Sequence, residues 1–136
     1  MPRVAGLIPQ SPTRFVTSDL FTYDFDGRGG LRTTDEFGRV IIYDRVEPAR
    51  PSATELRQFT GRYTSEEVNT TVELTVDDGT LIIRRPPDWN IRLTPVYADA
   101  FHGDLGWITF DRDGSGQVIR MNVSLERLWR LPFDRR

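Results

Sequence analysis

Short runs in which apolar and polar residues alternate, each stopped by Gly or Asp, fill most of this 136-residue chain. That pattern constrains the fold more than any other feature. Successive side chains of an extended strand point to opposite faces, so alternation marks a strand with one buried face. Val72, Leu74 and Val76 share one face, with Thr71, Glu73 and Thr75 on the other. Asp77-Asp78-Gly79 follows, then a second run at Thr80 to Arg85, so the spacing predicts a hairpin closed by a three-residue loop with Gly79 left-handed. The grammar recurs at Leu105 to Phe110, the turn Asp111 to Gly116, Gln117 to Val123, and Arg127 to Phe133. Upstream, Leu20 to Phe25, Leu31 to Phe37 and Arg39 to Val46 repeat it around Gly27 and Gly38. Strands at this spacing, with no helical blocks between them, predict an all-β antiparallel sandwich or barrel.

One segment departs from the pattern. Glu47 to Pro51 is a Pro-rich connector, and Ser52-Ala-Thr-Glu55 has the spacing of a capping box, in which Ser and Glu each bond the other's backbone N–H. One short helix is therefore expected over Ser52 to Phe59, ended by Gly61.

The chain also repeats part of itself. Leu7, Pro9 and Phe15 match Leu93, Pro95 and Phe101 at an offset of 86. Asp24, Asp26, Gly27 and Gly29 match Asp111, Asp113, Gly114 and Gly116 at an offset of 87. Asp44-Arg45 matches Asp134-Arg135 at an offset of 90, with Tyr43 facing Phe133. A half-repeat places residues 1–46 as the second half of a unit, 47–54 as a connector, and 55–136 as the complete unit.

Composition excludes several functions. The chain has 18 Arg and no Lys, 20 acids, no Cys and one His, for a net charge of -2. Without Cys there is no thiolate nucleophile or zinc-thiolate site, and without Lys no Schiff base and no S-x-x-K hydrolase. The acidic balance speaks against a dedicated nucleic-acid partner. No apolar run reaches the roughly 20 residues of a membrane-spanning helix, so no membrane partner is expected. The first twenty residues do not read as a secretory signal, which leaves the compartment open, and cytoplasmic if the chain is complete.

Local constellations add little chemistry. His102, between Phe101 and Gly103, reads as a turn residue. Asp111-Arg-Asp-Gly-Ser-Gly resembles the opening of a calcium loop, but its twelfth position is Asn122 inside a strand, so a hairpin turn is the preferred reading. Glu66-Glu67 and Asp77-Asp78 are adjacent pairs and read as turn or rim charges. Neither a nucleophile elbow nor a phosphate-binding glycine loop is present, so no catalytic residue, metal or cofactor is assigned. Two clusters interleave Arg with aromatics: Arg84 to Arg92, read as a loop with an exposed Trp89, and Arg127-Leu128-Trp129-Arg130. On a strand, Arg stems commonly pack beside Trp while the guanidinium reaches a carboxylate or water.

Gly61-Arg62-Tyr63, after the short helix, resembles the G-x-aromatic opening of lipocalin-type barrels. In those barrels the aromatic closes one end against an Arg of a late strand, a part that Arg127 or Arg130 would play here. The longer run from Ala53, with A-T-E-L-R-Q-F-T-G-R-Y, V-D-D-G-T-L-I-I-R-R, L-T-P-V-Y-A-D-A-F and I-T-F-D-R-D-G-S-G-Q-V, widens the match. It is similar to the small lipocalin-like β-barrel appended to serine hydrolases related to β-lactamases and penicillin-binding proteins. Residues 4–46 look like the tail of a preceding copy. The resemblance implies an antiparallel lipocalin-like barrel without the catalytic domain, acting as a non-catalytic accessory or assembly module. A homo-oligomer with strand exchange, and a serine hydrolase, are the implied partners.

About seven strands are legible from Gly61 onward, fewer than a closed barrel of this kind usually has, so residues 14–46 are expected to supply the rest in cis or to pair with a neighbouring chain. The alternative function is a carrier that holds an apolar or weakly acidic small molecule inside the barrel. Its candidate ligand-binding residues are Trp107, Phe110, Arg120 and Trp129, with alternation placing Trp107 and Phe110 on opposite faces.

Overall fold

A computed structural model of the chain describes residues 6–136. The chain divides into two compact units, Met1–Val46 and Glu47–Arg136.

The first unit is a five-stranded antiparallel meander: β1 (Ile8–Pro9), β2 (Arg14–Val16), β3 (Thr22–Phe25), β4 (Leu31–Thr34) and β5 (Val40–Tyr43), in that spatial order. Turn chemistry sets the strand ends. Asp26 Oδ1 accepts hydrogen bonds from the Arg28 and Gly30 N–H groups, at 2.7 and 2.9 Å, and Asp35 Oδ1 does the same for Phe37 and Arg39, at 3.0 and 2.8 Å. Phe15 meets Phe25 edge-to-face across the sheet at 5.9 Å. Among the described residues, β1 and β5 each have a strand neighbour on one side only.

The second unit opens with helix α1 (Ala53–Leu56) and a 3-10 turn (Arg57–Phe59). The capping box forms as the sequence predicts. Ser52 Oγ accepts from the Glu55 N–H at 3.2 Å, and Glu55 Oε2 accepts from the Ser52 N–H at 2.7 Å. The helix is shorter than the expected span and begins inside the segment read as connector. That segment also belongs to the second unit, since the Ala49 N–H donates to Val96 O at 3.1 Å.

Eight strands follow: β6 (Gly61–Ser65), β7 (Thr70–Asp77), β8 (Thr80–Arg85), β9 (Trp89–Tyr97), β10 (Ala100–Gly103), β11 (Gly106–Arg112), β12 (Val118–Leu125) and β13 (Leu128–Arg135). Each pairs antiparallel with its sequence neighbours, and β13 returns to β6, closing the barrel. This is the all-β antiparallel barrel with one short helix that the alternation implies. The count of seven strands is corrected to eight, and the barrel closes without residues 14–46. β10 is not among the runs read from the sequence, because its four residues are too few to show alternation. His102 accordingly lies on a strand, paired with Trp107 and Thr94, and not in a turn.

Two further local readings change. The β7–β8 loop has two residues, because Asp77 pairs with Thr80. Asp78 and Gly79 both have positive φ, 47° and 71°, the conformation of a type I′ turn, whose twist matches the flanking strands. The segment Arg84 to Arg92 is a hairpin and not a loop, with Arg85 paired to Trp89 across a short turn.

Alternation sorts the barrel side chains as expected: Val72, Leu74, Leu81, Ile83, Leu93 and Ile108 point inward and are buried. α1 and its turn add Leu56 and Phe59 to this core. Phe59 lies 5.2 Å from Phe101 and 4.6 Å from Phe110, and Tyr63 lies 6.1 Å from Phe110, so four aromatics pack as one cluster. Met121, Val123, Leu131 and Phe133 complete the filling. The barrel interior is a packed core.

Candidate binding surfaces

The structure separates the four residues proposed to line a ligand cavity. Phe110 points inward and belongs to the core. Trp107, three residues earlier on β11, points outward, where its ring stacks edge-on against His102 at 5.2 Å. Arg120 is on the outer face of β12, and its Nε donates to Asp134 Oδ1 at 2.7 Å. That bond, reinforced by the Asp134 charge, holds the Arg120 guanidinium above its ordinary pKa. Trp129 is 82% exposed. Its register parity with the buried Leu131 and Phe133 would turn it inward. A register shift between Val123 and Leu125, with Arg130 at φ 53°, breaks that parity.

Trp107 and Trp129 nevertheless share one outer groove, of about 520 Å3, with His102, Asp104, Ser124 and Glu126. Gly106 permits the close approach of strands there: its φ is 97°, and a Cβ in its place would lie 2.5 Å from Ser124 O. A second cleft, of about 350 Å3, lies beside α1 and is walled by Glu55, Gln58, Tyr97, Asp99 and Arg112.

The polar groups of that second cleft are bound to one another. Arg112 forms a fork with Asp99, at 2.9 and 2.7 Å, and donates to Gln58 Oε1 at 3.0 Å and Gly116 O at 2.8 Å. Its guanidinium also stands 5.4 Å over the Phe59 ring. The Asp99 hydrogen bond is the main cause that raises the Arg112 pKa, opposed by partial burial. With its donors so committed, Arg112 acts as a strut from the end of β11 to the β9–β10 turn, the 3-10 turn and the β11–β12 turn.

The arginine that closes the barrel end is Arg135, and not Arg127 or Arg130. Arg135 donates from Nη2 to Thr60 O at 2.6 Å and from Nη1 to Val118 O at 3.0 Å. Its Nε would lie 3.1 Å from a Cβ at Gly61, whose φ is 140°, so a glycine there makes room for the guanidinium. Arg130 instead pairs with Asp111 at 3.0 Å on the outside, and Arg127 is exposed in the β12–β13 turn. Tyr63 does take the buried aromatic position. Its hydroxyl donates to Phe59 O at 2.8 Å, and burial pushes its pKa up to about 12.

The acidic loop is a turn with its carboxylates already engaged. Asp113 Oδ1 accepts from the Ser115 Oγ and the Ser115 and Gln117 N–H groups, at 2.7, 2.8 and 3.0 Å. The Ser115 hydroxyl is the leading cause that lowers the Asp113 pKa. Asp111 accepts from Arg130 and from Asn122 Nδ2. Glu66 and Glu67 lie in the β6–β7 turn, with Glu66 3.3 Å from Arg136. Among the described residues, no group of three or more His, Cys, Asp or Glu side chains is arranged to hold a metal ion. Among the described residues, no helix is long and apolar enough to cross a membrane.

No family model, curated protein or solved structure matches this chain.

Proposed function

We propose that the chain is a non-catalytic accessory or assembly module that self-associates, related in kind to the barrels appended to serine hydrolases. One observation carries the reading: among the described residues, the first unit presents an antiparallel sheet open at both edges whose last strand, Val40–Tyr43, is exposed at every residue. Unpaired strand edges bearing apolar side chains are templates for adding another chain. In the packed second unit Asp99, Asp111 and Asp113 are committed to a turn and to ion pairs, which supports a role without chemistry of its own. The carrier alternative, for an apolar or weakly acidic ligand, needs a hollow barrel, and the aromatic cluster around Phe59 and Phe110 fills the space. Light scattering across a concentration series tests self-association. A rising mass supports it, and a monomer held to millimolar concentration overturns it. Co-purification with a serine hydrolase tests the accessory role separately.

A further inference from the structure

Two neighbouring hairpins of the barrel carry the same short motif. The β10–β11 turn reads Asp104-Leu105-Gly106-Trp107 and the β12–β13 turn Glu126-Arg127-Leu128-Trp129, so each places an acid three residues ahead of a tryptophan. Both loops have two residues, closed by the pairs Gly103–Gly106 and Leu125–Leu128. β10 and β12 run in the same direction, with β11 antiparallel between them, and both turns therefore stand at one end of the barrel wall. Ser124 sits between the two tryptophans. It pairs with Trp107 across β11–β12, and its Oγ accepts from the N–H of Arg130, next to Trp129, at 3.1 Å. This bond lies at the register shift that turns Trp129 outward. The backbones that carry Trp107 and Trp129 are two strand spacings apart, about 10 Å, which leaves room for one small group between the side chains.

The groove there joins exposed indole to uncompensated negative charge. Trp107 is 45% and Trp129 82% exposed, and His102 stands edge-on to Trp107 at 5.2 Å as a further wall. The chain has 18 Arg, yet none lines this groove. Elsewhere on the barrel Asp99, Asp111 and Asp134 each hold an arginine, at 2.7, 3.0 and 2.7 Å. Asp104 and Glu126 are in no ion pair among the described residues. Arg130, beside Trp129, is spent on Asp111. The negative π face of an indole attracts cations, and quaternary ammonium groups are the usual guests of such aromatic sites. A cleft whose charges share one sign concentrates the opposite charge, so two carboxylates at the rim select the same guest.

We propose that the groove between Trp107 and Trp129 binds a small soluble organic cation bearing a methylated ammonium group, held between the two indoles with Asp104 and Glu126 as its counter-charges. The inference is independent of self-association. It also differs from the carrier alternative in place and in sign, since the groove is on the outer wall and takes a cation. Each part has a stated role. The tryptophans supply the π faces and the apolar contact for the methyl groups, and the carboxylates supply charge without a competing arginine in the groove. Gly106 allows the β10–β11 turn to lie close against Ser124 and Leu125, which brings Asp104 and Trp107 to the edge of β12. A soluble cation is favoured over a phosphocholine lipid headgroup, because the lipid's phosphate would be brought towards the same two carboxylates.

The experiment follows the three indole N–H signals of the full chain by nuclear magnetic resonance, with Trp89 outside the groove as the internal control. Choline chloride is titrated at constant ionic strength, and 3,3-dimethylbutan-1-ol, its neutral isostere, is titrated in parallel. The proposal expects Trp107 and Trp129 to shift together on one saturating curve, with a Kd below about 5 mM, while Trp89 stays still. The neutral alcohol should bind about tenfold more weakly or worse. Trp129→Ala, and separately Asp104→Asn with Glu126→Gln, should each weaken choline about fivefold or more, with the Leu81–Ile83 amide signals unmoved to report an intact barrel. Equal affinity for choline and the alcohol overturns the cation. A shift of Trp129 alone, or one that grows without saturating, overturns the site. Glucose moving both signals where choline does not would make the groove a sugar platform and also overturn the cation. Co-sedimentation with phosphatidylcholine vesicles overturns the soluble ligand. The isostere comparison needs no variant, so it decides even if a substituted chain fails to fold.

Discussion

Replacing Tyr63 by Phe isolates one buried hydroxyl and gives a signature in pH. The ring is fully buried against Phe110, and the hydroxyl donates to Phe59 O at 2.8 Å, pinning the 3-10 turn to the start of β6. Removing the oxygen keeps the ring packing and leaves a buried carbonyl unpaired, at a cost of about 1–2 kcal/mol at neutral pH. Burial raises the Tyr63 pKa from 10.0 to about 12. A pKa raised on folding means that the unfolded chain gives up this proton first. The associated stability is fully present below pH 10 and is lost as pH rises through 12. Two pH units correspond to about 3 kcal/mol once both states are ionised, and about 1.4 kcal/mol is lost by pH 11. Urea unfolding at pH 8 and pH 11, followed by tryptophan fluorescence, measures both quantities. The difference in stability between the wild type and Tyr63→Phe should shrink by about 1.4 kcal/mol between the two pH values, because the variant lacks the titrating group. The other tyrosines are common to both proteins and cancel. An equal loss in both proteins over this range would refute the account of Tyr63 as a neutral, buried clasp.

Three further substitutions test the closure and the core. Arg135→Leu breaks two hydrogen bonds to main-chain carbonyls and should cost about 2 kcal/mol, whereas Arg130→Leu removes one exposed ion pair and should cost under about 1 kcal/mol; denaturant midpoints will show which arginine holds the barrel end. Ser65 Oγ is buried without a partner, so Ser65→Ala should leave stability unchanged or raise it by about 1 kcal/mol, and a loss of more than that in thermal unfolding would show that the hydroxyl is satisfied. Gly106→Ala places a methyl group 2.5 Å from Ser124 O at φ 97°, and should destabilise by about 2 kcal/mol or more, with nuclear magnetic resonance shifts confined to β11, β12 and the Trp107 groove.

Local chemistry was legible in the sequence wherever one residue dictated one conformation. Ser52 and Glu55 form the capping box because their spacing leaves each opposite the other's N–H. Val72, Leu74 and Ile108 lie inside because period-two alternation needs no tertiary information. Information failed where pairing, and not propensity, decided. β10 exists because β9 and β11 flank it, and its Ala-Phe-His-Gly sequence carries no period. Trp129 was given a possible inward role and sits outside because a bulge in the β12–β13 register reverses the parity. The sequence points for the closing arginine to Arg127 and Arg130, the first residue and the centre of the expected last strand. β13 runs on to Arg135, which the β13–β6 pairing sets opposite Tyr63 with its guanidinium over Gly61. The repeat was visible as matched Asp, Gly and Phe residues, and the pairings of Pro9 with Phe15 and Pro95 with Phe101 give those matches a common geometry.

The seam between β6 and β13 has a consequence for how this barrel can be joined to other things. Only Thr64–Asp134 and Tyr63–Arg135 pair directly across it, and the Arg136 N–H reaches Arg62 O at 2.9 Å. The first and last strands therefore lie side by side and antiparallel, with the start of β6 and the end of β13 at the same end of the barrel wall. Every other neighbour in the ring is joined by a turn, so the seam is the one place where the wall is held without covalent continuity. A short turn from the end of β13 to the start of β6 would make the circle continuous, and the ring could then be reopened at Asp78-Gly79 with its pairings kept. The wall is in that sense a cyclic object with a movable start.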